Sequence, residues 1–256
     1  MKWTNFYIKT FSSLLSALWR LWFLIVFILA FLIFMPALFY FTAIQKNQIF
    51  VANITRYWSK FTLWFSFIFP VIEWEEAIKK NEKYIFCPNH VSTLDIPLVL
   101  AVIPMPLQYI GKKELTKIPL FGYFYKRNSV IVNRKNRKNS YAAFINAGKK
   151  INQGLNMCIF PEGGIPPEKI CLKKFKNGPF KLAIEQNISI IPITIPDNKK
   201  MFPESYFKGN PGIVRIKIHK AVDPNKLDKK TVENLNTLIY NTIFEQLKNY
   251  EQENYN

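Results

Sequence analysis

The residues best suited to chemistry lie in one short stretch, Asn89-His90-Val91-Ser92-Thr93-Leu94-Asp95. It contains one of the two histidines of the chain, with a carboxylate five positions later. A histidine can accept a proton near neutral pH, and a carboxylate bonded to the other ring nitrogen can hold the ring in the required tautomer. Such a pair is suited to removing the proton of an alcohol.

The spacing of His90 and Asp95 constrains the local structure. Residues five apart in a continuous helix point about 140° away from each other, so these two side chains would meet poorly within one helix. They can meet when His90 lies in a loop and Asp95 in the first turn of the following helix. The stretch from Ser92 to Asp95 has the pattern of a capping box with Ser92 as N-cap, which predicts this arrangement. The alternative is that Asp95 only caps the helix and His90 only ends a loop.

The elements that must position this pair are short apolar segments alternating with helical ones beyond Trp74. Strands are predicted over residues 84–87, 107–110, 129–132, 156–160, 188–195 and 213–219, and helices over 92–102, 140–152, 180–186 and 229–252. This alternation predicts an α/β domain over residues 75–256, with a layered, mostly parallel or mixed sheet flanked by helices. In such a sheet ligands bind at the carboxyl ends of strands, where His90 stands.

Two other loops follow predicted strands. In Phe160-Pro161-Glu162-Gly163-Gly164, the glycines let backbone amides approach a phosphate or an oxyanion closely. The strand over 129–132 leads to Arg134, whose guanidinium can grip a phosphate with two hydrogen bonds. The simpler alternatives are an ordinary turn for Gly163 and Gly164 and a solvated surface charge for Arg134, which lies in a basic run.

The N-terminal part of the chain is apolar. Residues 21–44 include no charged side chain, and the run is long enough to cross about 30 Å of hydrocarbon at about 1.5 Å per residue. It is too long for the apolar core of a signal peptide. A shorter apolar block over residues 61–72 suits an interfacial segment. We therefore predict that residues 1–74 anchor the protein to a membrane, with a span over about residues 21–44; the alternative is an amphipathic or buried helix. Basic residues flank the run on both sides, so the positive-inside rule gives no orientation.

The composition indicates an anionic partner. Lys and Arg number 35 against 17 Asp and Glu, a net charge of +18. No zinc-ligand spacing or nucleic-acid motif accompanies these charges, so an anionic membrane surface is favoured over nucleic acid. The three cysteines have no paired spacing, which is typical of a reducing compartment. We expect an inner, cytoplasmic membrane protein whose catalytic domain faces the cytoplasm.

Four blocks, in this order, resemble the glycerolipid acyltransferases of the 1-acylglycerol-3-phosphate acyltransferase type over most of residues 84–195. The first block is Asn89-His90 with Asp95, and the second is Lys112-Lys113-Glu114-Leu115, then Pro119, Gly122 and the strand that ends at Arg134. The third is Phe160-Pro161-Glu162-Gly163, and the fourth is Ile191-Pro192-Ile193. All four blocks in order, behind an apolar N-terminal segment, are specific to that family.

The resemblance implies a reaction and a role for each residue. His90 would act as base on the free hydroxyl of 1-acylglycerol-3-phosphate, with Asp95 orienting it, and the product would be phosphatidic acid for phospholipid biosynthesis. The acyl donor would be a thioester of acyl carrier protein or coenzyme A, with no metal and no other cofactor. Further residues are implied in acceptor binding: Arg134 for the phosphate, Glu162, Gly163 and Gly164 for the pocket, and Lys112 or Lys113 for added charge.

The chain departs from the family pattern at two positions. Asn133 stands where the second block usually has an aspartate, and Gly164-Ile165 stands where the third usually has Thr-Arg. A lysine among Lys173, Lys174 and Lys176 could replace the missing positive charge. Alternatives are therefore acylation of another lysolipid, such as a lyso-aminolipid, or a non-catalytic membrane binding protein. A thioesterase or hydrolase is disfavoured because no G-x-S-x-G motif surrounds Ser92.

Overall fold

A computed structural model describes residues 2–132, 137–167 and 169–253 of the chain. Seven strands of the described chain form one sheet: β1 (Ile68–Trp74), β2 (Tyr84–Pro88), β3 (Leu107–Lys112), β4 (Val130–Val132), β5 (Asn156–Cys158), β6 (Ser189–Thr194) and β7 (Gly212–Ile218). Their order across the sheet is β1-β7-β6-β2-β5-β3-β4. The five strands from β6 to β4 are parallel, whereas β7 is antiparallel to β6 and β1 is parallel to β7.

Helices precede the sheet and cover its faces. They are α1 (Lys2–Phe39), α2 (Gln48–Phe65), α3 (Asp95–Val102), α4 (Phe121–Asn128), α5 (Arg137–Asn152), α6 (Gly178–Gln186), α7 (Asn198–Met201) and α8 (Val232–Glu253). A π-helical turn, Tyr40–Ile44, follows α1, and 3-10 helices occupy Lys113–Lys117 and Pro224–Lys226. The prediction of a layered α/β fold with a mixed sheet and flanking helices is confirmed.

The two faces of the sheet explain its apolar strands. All of β2 is buried, as expected for a central strand that is covered on both sides. Because successive side chains alternate, Ile85 packs with the core that includes Phe180 of α6 and Ile239 of α8. Phe86 points to the opposite face, where its core includes Leu98 of α3. Each predicted strand lies within two residues of an observed one.

The predicted border between the N-terminal part and the sheet domain needs correction. The interfacial block predicted over residues 61–72 is divided between the end of α2 and β1, and β1 pairs with β7 from Ile68–Gly212 to Trp74–Ile218. A border after Trp74 would therefore separate β1 from the sheet to which it belongs. The sequence disguises β1 because it is an edge strand, which tolerates Pro70 and leaves Phe69 and Val71 exposed.

The helices α1 and α2 form a hairpin against the sheet domain. Trp19 Nε1 in α1 donates a hydrogen bond to the backbone oxygen of Ser66 at 3.0 Å, and Arg20 donates to the backbone oxygens of Pro203 and Lys208. Further along α1, the Phe31 ring contacts Trp58 of α2. The segment Thr10–Ile44 is long and apolar enough, by length and composition, to cross a membrane. In its most apolar stretch of 18 residues, 22% of the residues are buried in the protein.

The second histidine has a structural place. His219 is buried, with Nε2 2.8 Å from Thr194 Oγ1 and Nδ1 2.8 Å from Glu75 Oε1. Burial lowers the pKa of His219, although the Glu75 carboxylate opposes this effect. These bonds join the end of β6 to the segments that follow β1 and β7.

Candidate active site

The loop that carries His90 is anchored to the neighbouring strand β6. Asn89, the residue after β2, donates from Nδ2 to the backbone oxygen of Ile195 at 3.0 Å and accepts from the backbone N–H of Ile195 at 2.7 Å. This side chain satisfies both backbone groups of a residue just past the end of β6. His90 therefore leaves the sheet from a fixed point at the carboxyl ends of the parallel strands.

His90 and Asp95 meet as the spacing predicted. His90 Nδ1 lies 2.9 Å from Asp95 Oδ2, with His90 in the loop and Asp95 at the start of α3. The backbone N–H groups of Val91 and Ser92 donate to the same oxygen at 2.7 and 2.9 Å. Both side chains are buried.

The predicted N-cap is only partly correct. The helix begins at Asp95 after a short turn, and the Ser92 hydroxyl accepts from the backbone N–H of Leu94 at 3.2 Å. The Asp95 carboxylate does accept from the backbone N–H of Ser92, which is one half of a capping box. The other half, a bond from the backbone N–H of Asp95 to the Ser92 hydroxyl, is absent. That hydroxyl accepts from Leu94, one residue earlier, and donates to the backbone oxygen of Phe202 at 2.6 Å.

Sequence reasoning missed Asn198. Its Nδ2 donates to Asp95 Oδ1 at 2.7 Å, and the residue is fully buried. Asn198 begins α7, directly after β6, so its position at the carboxyl end of a parallel strand was the available signal. The Asp95 carboxylate thus accepts from four donors, and a carboxylate can only accept, so Nδ1 of His90 carries the proton. In the described chain no hydrogen-bond partner is found for Nε2, and His90 lines the adjoining cavity.

The loop after β5 closes over His90. The Phe160 ring stacks on the His90 ring, with centroids 4.0 Å apart and planes 21° apart. Glu162 accepts from the backbone N–H of His90 at 2.6 Å and from that of Lys173 at 2.9 Å, one bond to each carboxylate oxygen. Burial raises the pKa of Glu162 to about 7. Glu162 is therefore turned inward and links the His90 loop to two parts of the loop between β5 and α6, rather than facing open solvent.

Gly163 is favoured by its backbone shape, and its missing side chain leaves room for Lys176. Its φ is +73°, and a Cβ at this position would lie 2.7 Å from Nζ of Lys176. The ammonium group of Lys176 therefore rests against the backbone next to Glu162. Of Lys173, Lys174 and Lys176, this is the lysine whose amine reaches the glycine loop. Gly164 follows in the same loop, with φ +158°.

A cavity of about 300 Å³ begins at His90 and Phe160 and reaches Leu38 and Val51 in the α1–α2 hairpin. Its wall is mainly apolar and includes Phe27, Phe31, Trp58, Ile96, Leu100, Leu107, Tyr109, Leu115, Phe121, Phe124 and Ile165. Lys112, at the end of β3, also lines it, whereas Lys113 and Gly164 are not among the lining residues of the described chain. The site thus joins a histidine–carboxylate pair to an apolar chamber.

One sequence prediction cannot be followed to a side chain. Arg134 comes directly after β4 in sequence, but it lies outside the described residues, so its phosphate-binding role stays a prediction. Among the described residues no group of three or more His, Cys, Asp and Glu side chains is arranged to hold a metal ion. The candidate site is therefore built from His90, Asp95, Asn198, Glu162 and the loops that carry them.

Comparison with known proteins gives consistent matches. A family model described as Acyltransferase matches residues 70–196. The chain is 28% identical over 190 residues to a 1-acyl-sn-glycerol-3-phosphate acyltransferase of Borreliella burgdorferi, covering 74% of this chain and 76% of that protein. It is 30% identical over 174 residues to an uncharacterized acyltransferase of Schizosaccharomyces pombe, covering 67% and 61%.

A solved structure has the same fold. The crystal structure of the 1-acyl-sn-glycerophosphate acyltransferase PlsC from Thermotoga maritima matches with a TM-score of 0.76 and 25% sequence identity. The match covers 95% of this chain and 98% of that one, so it includes the N-terminal hairpin as well as the sheet.

Proposed function

The chain belongs to the acyltransferase family, and on that premise we propose that it acylates the free hydroxyl of 1-acylglycerol-3-phosphate, giving phosphatidic acid. The acyl donor in this proposal is a thioester of acyl carrier protein or coenzyme A. The observation that carries the proposal is the buried His90–Asp95 pair at one end of an apolar cavity. This arrangement combines a base with room for an acyl chain.

In the proposed reaction, Nε2 of His90 takes the proton of the acceptor hydroxyl while its oxygen bonds to the thioester carbonyl carbon. The tetrahedral intermediate then collapses, the carbon–sulfur bond breaks, and the thiolate leaves with the proton that His90 returns. Asp95 keeps Nδ1 protonated and the ring oriented, so that Nε2 presents its lone pair. The products are the new ester and a free thiol, with no acyl-enzyme.

The acyl chain would occupy the cavity. Its lining is largely aromatic and aliphatic, and the wall comes from the α1–α2 hairpin on one side and from α3, β3 and α4 on the other. Transfer of an apolar chain into such a chamber is favourable by about 0.8 kcal/mol per buried methylene group. The cavity starts beside His90, so the reacting carbonyl carbon can lie near Nε2 while the chain extends toward Val51.

In this proposal the acceptor phosphate binds a lysine, because Ile165 stands where the third block of the family usually has an arginine. Lys176 is supported by the contact of its amine with Gly163, beside the loop that carries Glu162. Lys112 lines the cavity, and Arg134 keeps its predicted role on sequence grounds. Glu162 would act as a positioning residue, because both of its oxygens are bonded to backbone N–H groups.

We further propose that the hairpin holds the enzyme on the membrane from one side. The outward residues of α1 are apolar and exposed: Leu14, Leu18, Leu21, Leu24, Ile25, Ile28, Leu29, Leu32 and Ile33. The inward residues of α1, from Trp19 to Leu38, are packed against the rest of the protein. If α1 crossed the membrane upright, the sheet domain packed against it would have to enter the hydrocarbon. In this proposal α1 and α2 therefore lie within one leaflet. We expect this to be the cytoplasmic leaflet of the inner membrane.

The test is acyl transfer by the purified protein. We expect turnover of 1-acylglycerol-3-phosphate with acyl carrier protein or coenzyme A thioesters, and a loss of 10² to 10⁴ in kcat for His90→Ala, which is the typical contribution of general-base catalysis. Lys176→Ala should raise the KM for the phosphate acceptor, while Lys174→Ala, its exposed neighbour, should not. Activity only on lysophosphatidylethanolamine or a lyso-aminolipid would overturn the acceptor, and full activity of His90→Ala would overturn the mechanism.

A further inference from the structure

A protruding turn joins the 3-10 helix Lys113–Lys117 to α4. We call Ile118, Pro119 and Leu120 the α4 tip. All three are exposed, with Ile118 at 46% and Leu120 at 61% of full side-chain accessibility. Single exposed apolar residues are common on protein surfaces, but three in succession at the end of a turn form a contiguous apolar projection.

The turn is held rigidly in a strained shape. Leu120 has φ +57°, in the left-handed region that leucine rarely adopts. Backbone N–H groups of Phe121 and Gly122 donate to the oxygens of Pro119 and Ile118 at 2.6 and 2.7 Å. A Cβ at Gly122 would lie 2.3 Å from the backbone oxygen of Thr116, so only glycine permits this close turn. The fold therefore maintains an exposed leucine at both a conformational and a hydrophobic cost.

Basic residues flank the α4 tip on both sides in the sequence. Lys113, Lys117, Lys126 and Arg127 are exposed, and no ion pair joins them to another described residue. Residues 112–132 include a single acidic side chain, Glu114. The Arg127 guanidinium lies over the Tyr123 ring, 3.7 Å from its centroid, which adds an aromatic residue beside the tip.

The α4 tip is continuous with the proposed membrane hairpin and with the cavity. Phe121, the residue after the tip, contacts Phe31 of α1 and Trp58 of α2. The same residue lines the cavity that begins at His90, together with Leu115 on the other side of the tip. An object that binds the tip therefore lies next to the hairpin and to the cavity wall.

We propose that the α4 tip is a second membrane-binding element, which inserts into an anionic leaflet while Lys113, Lys117, Lys126 and Arg127 contact lipid phosphates. The inference rests on the membrane association proposed above and adds a site outside the N-terminal hairpin. An apolar projection flanked along the chain by exposed basic residues matches a leaflet of apolar chains beneath anionic headgroups. Insertion would set the cavity wall against the lipid chains from which the acceptor comes.

The test uses Leu120→Asn, because asparagine is polar, close to leucine in size, and among the non-glycine residues that most often adopt a positive φ. We expect its affinity for phosphatidylglycerol vesicles to fall about tenfold, as for removal of one inserted apolar side chain. Leu238→Asn is the matched control, since Leu238 is also exposed, at 41%, but lies on α8. A second variant, Lys117→Gln with Lys126→Gln, should weaken binding to phosphatidylglycerol vesicles and leave binding to phosphatidylcholine vesicles unchanged.

The two proposals fail in distinguishable ways. Turnover of a short-chain 1-acylglycerol-3-phosphate in free solution reports the enzyme, and it should be equal for Leu120→Asn and the wild type. Wild-type vesicle affinity in Leu120→Asn would overturn the α4 tip as a membrane element. Loss of binding to isolated acyl carrier protein, with vesicle binding intact, would overturn it in favour of a protein-docking surface. Absence of turnover by the wild type would instead overturn the proposed reaction.

Discussion

At the scale of single residues, the Asp95 carboxylate is the most heavily constrained group of the site. It accepts from the His90 ring, from two backbone N–H groups and from Asn198. A carboxylate that accepts from several N–H donors is fixed in position, and its contact with His90 then requires the proton to lie on Nδ1. The loop itself therefore fixes the orientation of the His90 ring.

Asp95→Asn should separate orientation from binding. The amide has one acceptor oxygen instead of two, so it cannot serve all four donors, and the His90 ring loses its fixed tautomer. We expect kcat to fall by about 10² to 10⁴ while KM changes little, as measured by thiol release from the acyl thioester. Asn198→Ala leaves Asp95 with three donors and should cost about tenfold or less. Equal kcat for Asp95→Asn and the wild type would contradict the assigned role.

Glu162 should make stability depend on pH. Burial raises its pKa to about 7 in the folded protein, above the value of 4.5 for an exposed carboxyl group. The folded state therefore holds the proton more tightly than the unfolded state. The stabilisation is complete below pH 4.5 and is lost as the pH rises through 7, by roughly 2 kcal/mol between pH 5 and 8.

Glu162→Gln tests this dependence, because glutamine resembles the protonated carboxyl group in shape and does not ionise. Urea unfolding of both proteins at pH 5, 6, 7 and 8 should show the free energy of the variant rising relative to the wild type as pH increases. Glu185→Gln on α6, whose carboxylate pairs with Lys181 at the surface, is the control and should not change the slope. A constant difference between Glu162→Gln and the wild type at all four pH values would contradict the argument.

At the scale of elements, the alternation of strands and helices made the central site predictable. Loops after parallel strands meet at one edge, so the pairing of His90 with the Glu162 loop followed from β2 and β5 being recognisable apolar strands. Edge elements were harder. The strand β1 contains a proline and is exposed on one side, and α2 ends in an apolar run that resembles an interfacial block.

Contacts between side chains far apart in the sequence could not be predicted, for a different reason. Asn198 lies 103 positions from Asp95, and only the packing of β6 beside β2 brings them within 2.7 Å. The same applies to Lys176, whose approach to Gly163 depends on the path of the loop between β5 and α6. Spacing predicts local pairs such as His90–Asp95, whereas pairs across the sheet edge need the tertiary fold.

The hairpin forms part of the cavity, so it should govern the choice of acyl chain. Val51 of α2 is buried and lines the same cavity as His90. Val51→Phe adds volume to the cavity wall and should leave less room for a long acyl chain. We expect the ratio of kcat/KM for an 18-carbon thioester to that for a 12-carbon thioester to fall about tenfold. Ile49→Phe, two residues away on the exposed side of α2, is the matched control. An unchanged ratio for Val51→Phe would show that the chain lies elsewhere.

At the scale of the whole molecule, the hairpin and the charge act together. In the proposed membrane association, a net charge of +18 would draw the protein to an anionic surface over the Debye length, and apolar residues of α1 would then enter the leaflet. The composition by itself is equally compatible with an upright span of α1. What separates the two is that α1 is packed against the sheet domain from Trp19 to Leu38, so the hairpin and the domain move as one body.

One-leaflet insertion predicts that the bend of the hairpin never reaches the opposite side of the membrane. Gln45 lies at this bend and is exposed in the protein. In a Cys171→Ser background, with Cys87 and Cys158 buried, Gln45→Cys can be treated with a membrane-impermeant maleimide in sealed vesicles whose cytoplasmic face is outward. We expect no additional labelling when the lumen is opened with a pore-forming toxin. Glu245→Cys on α8, an exposed position, should label from outside and serves as the control. An upright α1 would reverse the first result, because its bend would emerge in the lumen and Gln45→Cys would react only after the vesicles are opened.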